Sequence, residues 1–220
     1  MHLYGVVAAV LAVVPQPAPA PPALEVVRPA TASLALHAAP AGPAVAAVGA
    51  RTEFGQPLRY AVVERRRNWL GVIAPDVGNG RIGWVEATHV RRARLLRERI
   101  DVDLSRRVLR LMRDGDVVLR TTVAVGDRVS PTPVGRFAVT DKFRGSDLGT
   151  VYGCCVLVLS GNQPQLPPSW APGEYRLAIH GGDPRTIGGA VSAGCVHVRD
   201  APLRLLMRRL PLGTPVTIHP

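Results

Sequence analysis

A histidine and a cysteine fifteen residues apart are the side chains of this chain best suited to do chemistry. His180 ends a strand-like apolar run that starts at residue 175, and Cys195 follows a loop rich in glycine. A cysteine attacks carbonyl groups as a thiolate, and an imidazole can accept the thiol proton because its pKa lies near neutrality. The backbone N–H groups of Gly194 and Cys195 could then bind an oxyanion. We therefore predict a nucleophilic cysteine with a histidine base, although a buried cysteine and an unrelated surface histidine would be commoner for such a pair alone.

The residues around this pair resemble the active-site signature of the L,D-transpeptidases, the YkuD-type catalytic domain. In that family a His-Gly pair is followed by Ser/Thr-His-Gly-Cys, then by an apolar residue and Arg or Asn. His180-Gly181 is similar to the first part. Four positions match the second part: Ser192, Gly194, Cys195 and Val196. Two positions depart from it, because Ala193 stands in place of His and His197 in place of Arg or Asn.

The resemblance extends back along the chain to about Ile100. Alternating apolar residues at 100–111 indicate half-buried strands, and Asp114-Gly115 favours a type I′ turn before a return strand at 117–125. Thr-Pro-Val-Gly-Arg-Phe at 132–137 and Gly-Thr-Pro-Val-Thr-Ile at 213–218 are similar to two further segments of the family. Residues 98–220 are thus identified as a YkuD-type catalytic domain.

This resemblance implies a mechanism on peptidoglycan stem peptides. Cys195 would attack the carbonyl between the third and fourth residues, and His180 would accept the thiol proton. The Gly181 carbonyl would orient the imidazole, and a side-chain amine of a second stem peptide would resolve the thioester. The turn and oxyanion residues would be Ser192, Ala193 and Gly194, and the substrate-binding residues His197 and Tyr152. No metal or cofactor is required.

Two other outcomes remain open at this point. Water could resolve the same thioester, which would make the protein an L,D-carboxypeptidase. The domain could also be a catalytically weak cell-wall-binding protein. The departures at Ala193 and His197 lie in the substrate-facing loop and bear on each outcome.

The elements that must position these residues are mostly β-strands. The chain has 220 residues, of which 22 are glycine and 21 proline, so we expect many turns and few long helices. The clearest helix is predicted at 201–210, with Asp200 as its cap and with an apolar stripe of Leu203, Leu206, Met207 and Leu210 facing the sheet. The fold class is mostly β, with a YkuD-like β-sandwich implied by the resemblance.

The N-terminal half is predicted to contain a targeting segment, a linker and a small barrel. An apolar stretch at 3–14 and Ala-Pro-Ala at 18–20 make residues 1–22 signal-like, so we expect export to a cell wall or periplasm-like space. Residues 23–44 are expected to be a flexible linker. Residues 45–92 resemble a bacterial SH3-like domain, with an Asn79-Gly80 hairpin turn. Such a module would bind peptides or cell-wall components, or would serve only for packing.

The net charge and the cysteine content of the chain restrict the kinds of partner and metal site that we expect. The net charge is +11, carried by arginines, because Lys142 is the sole lysine. The arginine run at 91–99 is interpreted as a solvated linker, since no nucleic-acid motif accompanies it, and anionic cell-wall polymers are possible partners. No transmembrane span of about 20 apolar residues is expected. Cys154 and Cys155 lie in an apolar run at 151–159 that predicts a strand, and the cysteine spacing is not that of a zinc site.

Overall fold

The computed structural model describes residues 22–166 and 175–220, and these residues fold into two β-sheets and one α-helix. The predicted mostly β fold class is confirmed. The signal-like segment lies outside the described residues except for Pro22.

The first sheet contains seven antiparallel strands in the order β3-β2-β6-β5-β4-β1-β7. Its strands are β1 (Leu24–Pro29), β2 (Leu34–His37), β3 (Ala44–Val48), β4 (Tyr60–Arg66), β5 (Trp69–Ile73), β6 (Ile82–Glu86) and β7 (Val90–Leu96). Leu34, Leu36 and Tyr60 are among its fully buried side chains.

Two expectations about this half are wrong. Residues 23–44 are not a flexible linker, because β1 pairs with both β4 and β7 and buries Val26 and Val27. The arginine run at 91–99 is not a linker either, since it forms most of β7 and enters the next strand. Both segments look like linkers locally because β1 and β7 pair with each other and lie far apart in the chain. The sheet therefore spans 24–96 instead of the predicted 45–92.

The second sheet contains nine strands in the order β14-β10-β15-β13-β12-β11-β16-β8-β9. They are β8 (Glu98–Asp103), β9 (Val108–Arg113), β10 (Asp116–Gly126), β11 (Gly135–Arg144), β12 (Cys155–Asn162), β13 (Arg176–His180), β14 (Ala190–Ser192), β15 (Val196–Val198) and β16 (Pro215–His219). A further pairing of β9 with β10 closes the sheet into a barrel-like layer. Its interior is filled by large apolar side chains such as Phe137, Leu157 and Ile179.

The two predicted turns have different outcomes. Asp114 and Gly115 both have positive φ, 53° and 101°, and join β9 directly to β10, as a type I′ turn requires. Asn79-Gly80 instead lies in a longer β5–β6 connection that begins with a 3₁₀ turn at Pro75–Val77. It is therefore not a two-residue hairpin turn, and Asn79 contacts the backbone of Asn162 in the second sheet.

The helix α1 (Asp200–Arg209) follows β15 and buries Leu203 and Leu206 against the second sheet. The capping role expected for Asp200 is wrong, because Arg199 is the N-cap residue and makes no side-chain cap. Asp200 Oδ1 accepts a hydrogen bond from the Cys154 N–H at 3.1 Å instead. At the other end, Lys142 Nζ donates to the Leu210 carbonyl at 2.8 Å, where a cation favours the helix dipole.

The two sheets pack against each other through small residues. Ala138 on β11 lies in one buried cluster with Ala61 and Ile73 of the first sheet. Val26 on β1 lies so close to Gly213 that a Cβ atom there would come within 2.7 Å of its side chain. The second sheet is thus covered along one side by the first.

Candidate active site

His180 is the last residue of β13 and is 7 % exposed. Its Nδ1 lies 2.5 Å from the Gly181 carbonyl oxygen, which can only accept, so Nδ1 carries the proton. In the neutral ring Nε2 is then the unprotonated nitrogen. The Gly181 N–H in turn donates to the Tyr152 carbonyl at 2.8 Å, which fixes the backbone that orients the ring.

Cys195 directly precedes β15, which runs parallel to β13. The register pairs Ile179 with Val196 and His180 with His197, so Cys195 comes beside Ala178, on the face that also carries His180. Its side chain packs in a small apolar cluster with Val156, Val158 and Ala178. The tertiary structure therefore brings the predicted pair to one face of two neighbouring strands, although no hydrogen bond joins thiol and imidazole in the described part of the chain.

Burial dominates the electrostatics of this pair. It raises the pKa of the Cys195 thiol to about 11, although the nearby Ala178 backbone opposes this in part. Burial also lowers the pKa of His180 to about 4, with His197 adding to the effect and the Gly181 carbonyl opposing it. At neutral pH the resting site thus holds a neutral thiol and a neutral imidazole, and a nucleophilic attack would have to be coupled to proton transfer.

Tyr152 and His197 both contact the ring of His180. The Tyr152 ring lies edge-on to the imidazole with centroids 5.0 Å apart, and the His197 ring is tilted at 4.5 Å. Burial lowers the pKa of His197, and its Nδ1 is buried without a hydrogen-bond partner among the described residues. The region around Tyr152 is not the predicted strand, since Thr150–Tyr152 form a 3₁₀ turn before β12 begins at Cys155. This turn places the tyrosine ring against His180.

Ser192 organises the turn before the cysteine. Its Oγ donates to the Cys195 carbonyl at 2.5 Å and accepts from the Gly194 N–H at 3.1 Å. The Gly194 N–H is therefore occupied in this conformation and is not free to bind an oxyanion, in contrast to our expectation. The Ala193 carbonyl accepts a hydrogen bond from the side chain of Gln163.

Gln163 is a residue of this site that the sequence analysis missed. It follows β12, is 5 % exposed, and its Nε2 donates to the carbonyls of Pro131 and Ala193 at 2.9 and 3.3 Å. Gly194, with φ of 113°, lies directly against this amide, and a Cβ atom there would come within 2.2 Å of Nε2. Nothing in the local sequence Asn-Gln-Pro-Gln distinguishes Gln163 from an exposed turn residue.

Within residues 22–166 and 175–220, no three His, Cys, Asp or Glu side chains gather in an arrangement that could hold a metal ion. In the same residues, no helix combines the length and apolar character that a membrane crossing needs. The three cysteines are unpaired, with Cys155 buried in the core and Cys154 half-buried beside Asp200.

The chain is similar to several known proteins. A candidate L,D-transpeptidase YkuD of Bacillus licheniformis is 32 % identical over 123 residues, covering 56 % of this chain and 66 % of the relative. Its counterpart in Bacillus subtilis is 30 % identical over 121 residues, covering 54 % and 65 %. The regions matched span slightly less than two thirds of these relatives.

Solved structures of the same kind are also similar. The catalytic domain of an Enterococcus faecium L,D-transpeptidase is 27 % identical, with a TM-score of 0.40 and coverage of 56 % of this chain and 96 % of that one. L,D-transpeptidase 3 of Mycobacterium tuberculosis is 15 % identical, with a TM-score of 0.45 and coverage of 63 % and 73 %.

The sequence profile of the L,D-transpeptidase catalytic domain, YkuD, matches residues 97–218. This match covers 122 of 220 residues, which is more than half of the chain. It includes His180, Cys195 and every residue described above as surrounding them. The protein therefore belongs to the YkuD family of L,D-transpeptidase catalytic domains.

Proposed function

We propose that this protein is a cysteine-dependent L,D-transpeptidase that acts on peptidoglycan stem peptides. The observation that carries the proposal is the parallel register of β13 and β15, which places Cys195 and His180 on one face. The Nδ1 contact with the Gly181 carbonyl leaves Nε2 as the nitrogen that can accept a proton. Family membership supports the reaction class, and the relatives carry the name of this activity.

The reaction proceeds in two acyl transfers. The Cys195 sulfur attacks the carbonyl carbon of the third stem residue while His180 Nε2 takes the thiol proton. The C–N bond to the terminal D-residue breaks, its amine leaves with that proton, and a thioester forms. An amine of a second stem peptide then attacks the thioester carbonyl, a proton passes to His180, and the thiol is restored as the new amide forms.

The neutral resting pair influences this chemistry. Because burial raises the pKa of Cys195 and lowers that of His180, the first step starts from a thiol and transfers its proton as the S–C bond forms. Oxyanion stabilisation depends on backbone N–H groups near the turn, and that of Cys195 is the candidate after Gly194 is excluded. Tyr152 and His197 flank His180 and would contact the substrate.

The test uses purified protein and a synthetic stem tetrapeptide with mass spectrometry of both protein and products. We expect a thioester adduct on the wild type and none on Cys195→Ala. Cys154→Ala is the matched control, because this half-buried thiol contacts the Asp200 carbonyl and packs against the core of the second sheet, and the variant should still be acylated. An adduct on Cys195→Ala would disprove the nucleophile, and a hydrolysed tripeptide as the only product would identify a carboxypeptidase.

We further propose that the protein is exported and that the first sheet, residues 24–96, is an SH3-like, wall-binding module. The apolar stretch at 3–14 and Ala-Pro-Ala at 18–20 support export, and the charge of +11 suits anionic wall polymers. The N-terminal mass of the protein recovered from its native cell would test signal cleavage. Co-sedimentation of residues 22–220 with purified cell walls, with and without their anionic polymers, would test binding; an unbound protein would contradict the module's role.

A further inference from the structure

The first sheet holds the backbone of the second sheet next to the nucleophile loop. Asn79, in the β5–β6 connection, makes two hydrogen bonds with the backbone of Asn162. Its Nδ2 donates to the Asn162 carbonyl at 2.6 Å, and its Oδ1 accepts from the Asn162 N–H at 2.8 Å. A side-chain amide with both groups engaged fixes the position and direction of the peptide it binds. Asn162 is the last residue of β12, and the residue after it is Gln163.

Gln163 connects the backbone fixed by Asn79 to the loop that carries Cys195. Its backbone follows directly from the clamped residue, and its amide bridges two loops through the carbonyls of Pro131 and Ala193. Ala193 lies two residues before Cys195. The backbone N–H of Gln163 donates to the Tyr175 carbonyl at 2.6 Å, which anchors the start of the Gln163 side chain.

The orientation of the Gln163 amide follows from its neighbours. Nε2 faces two carbonyl oxygens, while Oε1 accepts the N–H of Gln165 at 3.1 Å. The flipped amide would place an oxygen against both carbonyls and an NH₂ group against an N–H. Because the side chain is buried, a lost contact would leave polar groups unpaired, so the loop would move to satisfy them.

We propose that the N-terminal sheet is a positioning device for the proposed transpeptidase reaction, acting through Asn79 and Gln163 on the Cys195 loop. Asn79 and Gln163 are positioning residues and do not touch the reacting atoms. The inference rests on the proposed function for its readout, although the contacts exist independently of it. Catalysis is sensitive to such contacts because a displacement of about 1 Å can slow a reaction about a hundredfold.

The chain offers a matched control at the same junction. Gln56 makes the equivalent pair of contacts with Lys142 on β11: Nε2 donates to its carbonyl at 2.6 Å, and Oε1 accepts its N–H at 3.3 Å. Both amides thus join the first sheet to a backbone of the second. Only the strand bound by Asn79 continues into Gln163. Replacing Asn79 or Gln56 should lower the free energy of unfolding by a similar amount. Only the replacement of Asn79 should change the reactivity of Cys195.

The experiment measures acylation of Cys195 by a carbapenem in the full chain. The variants are Asn79→Ala, Gln56→Ala, Gln163→Ala and the double variant Asn79→Ala/Gln163→Ala, each with its melting temperature. We expect Asn79→Ala and Gln163→Ala to lower the first-order acylation rate at least tenfold with little change in the half-saturating carbapenem concentration. Gln56→Ala should acylate like the wild type. The double variant should be no slower than Gln163→Ala, because the two residues act in one chain of contacts.

Three results would overturn the inference. They are wild-type acylation by Asn79→Ala, an equal slowing by Gln56→Ala, and additive effects in the double variant. If Gln163→Ala does not fold, the comparison of Asn79→Ala with Gln56→Ala decides alone. If the wild type itself is not acylated, the proposed function is in doubt, and alkylation of Cys195 by iodoacetamide replaces acylation as the readout. Equal alkylation rates in all variants would then disprove the positioning role.

Discussion

At the scale of single residues, burial decides how the site reacts. His180 and Cys195 have side chains that are typical of a thiolate–imidazolium pair, yet both are surrounded by apolar side chains and backbone. Burial disfavours each charged form, so the pair rests as a thiol and an imidazole. Its pH behaviour is therefore opposite to that of an exposed ion pair.

The reactivity of Cys195 should rise with pH. Since burial raises its pKa to about 11, the thiolate is scarce at neutrality, and alkylation by iodoacetamide should increase steadily from pH 6 to about pH 10. A preformed ion pair would give a plateau from acidic pH. Alkylation rates should be measured in a Cys154→Ala/Cys155→Ala background, so that Cys195 alone reacts. A plateau between pH 5 and about pH 8 would contradict the neutral resting pair.

His180 should make the protein less stable in acid. Its pKa is lowered from 6.5 in the unfolded chain to about 4 in the folded one. Above pH 6.5 the imidazole is neutral in both the folded and the unfolded chain, and this group costs no stability. As pH falls from 6.5 toward 4, the unfolded chain binds a proton that the folded chain does not, so the free energy of unfolding decreases. The loss is about 3 kcal/mol from this group. Urea unfolding of the wild type and His180→Gln at both pH values measures it. An equal loss in the variant would assign acid sensitivity to other groups.

At the scale of elements, the helix α1 is held at both ends by contacts from strands and turns. Asp200 Oδ1 accepts the Cys154 N–H, and Lys142 binds the carbonyl at the far end. The helix directly follows β15, so these contacts restrain the strand on which His197 lies. The same segment also contributes two fully buried leucines to the core.

Loss of the Asp200 contact should destabilise the fold more than loss of its ion pair. Asp200→Ala leaves the Cys154 N–H unbonded and removes an acidic residue from the first turn, for a cost of about 1–2 kcal/mol in the free energy of unfolding. Arg204→Ala removes the ion pair to Asp200 at 3.0 Å between half-exposed side chains, and should cost less than about 0.5 kcal/mol. Chemical denaturation of both variants compares them. A larger loss for Arg204→Ala would show that the ion pair matters more than the backbone contact.

At the scale of the whole molecule, buried polar contacts fix how the two sheets pack. Arg176, at the start of β13, binds Glu53 of the β3–β4 connection at 2.6 Å and the Leu159 carbonyl at 2.8 and 3.1 Å. Thr52 reaches the fully buried Asp141 at 2.5 Å. Arg176 begins the strand that ends in His180, so this junction and the imidazole share one strand.

Arg176 and Glu53 should contribute unequally to the free energy of unfolding. Arg176→Met leaves the Leu159 carbonyl and Glu53 without their donor in a nearly buried site, and should cost about 2–4 kcal/mol in the free energy of unfolding. Glu53→Gln keeps an acceptor for the guanidinium at a half-exposed position, and should cost less than about 1 kcal/mol. Denaturant unfolding provides the comparison. Equal effects would indicate that the charge of Glu53 holds the junction.

The sequence by itself indicated the family, the two residue types of the proposed reaction and most of the second sheet. The residue types at 180 and 195, the Asp114-Gly115 turn, the alternating strands and the apolar stripe of the helix are local patterns, and local sterics and periodicity suffice to interpret them. The segments at 23–44 and 91–99 were misjudged because strand pairing between distant residues leaves no mark in either segment alone. Only the tertiary structure decided the neutral state of the Cys195–His180 pair, the use of the Gly194 N–H in the turn, and the place of Gln163 and Asn79. Each of these depends on which groups from distant parts of the chain are buried together, and burial sets both pKa values and the need for every polar group to find a partner.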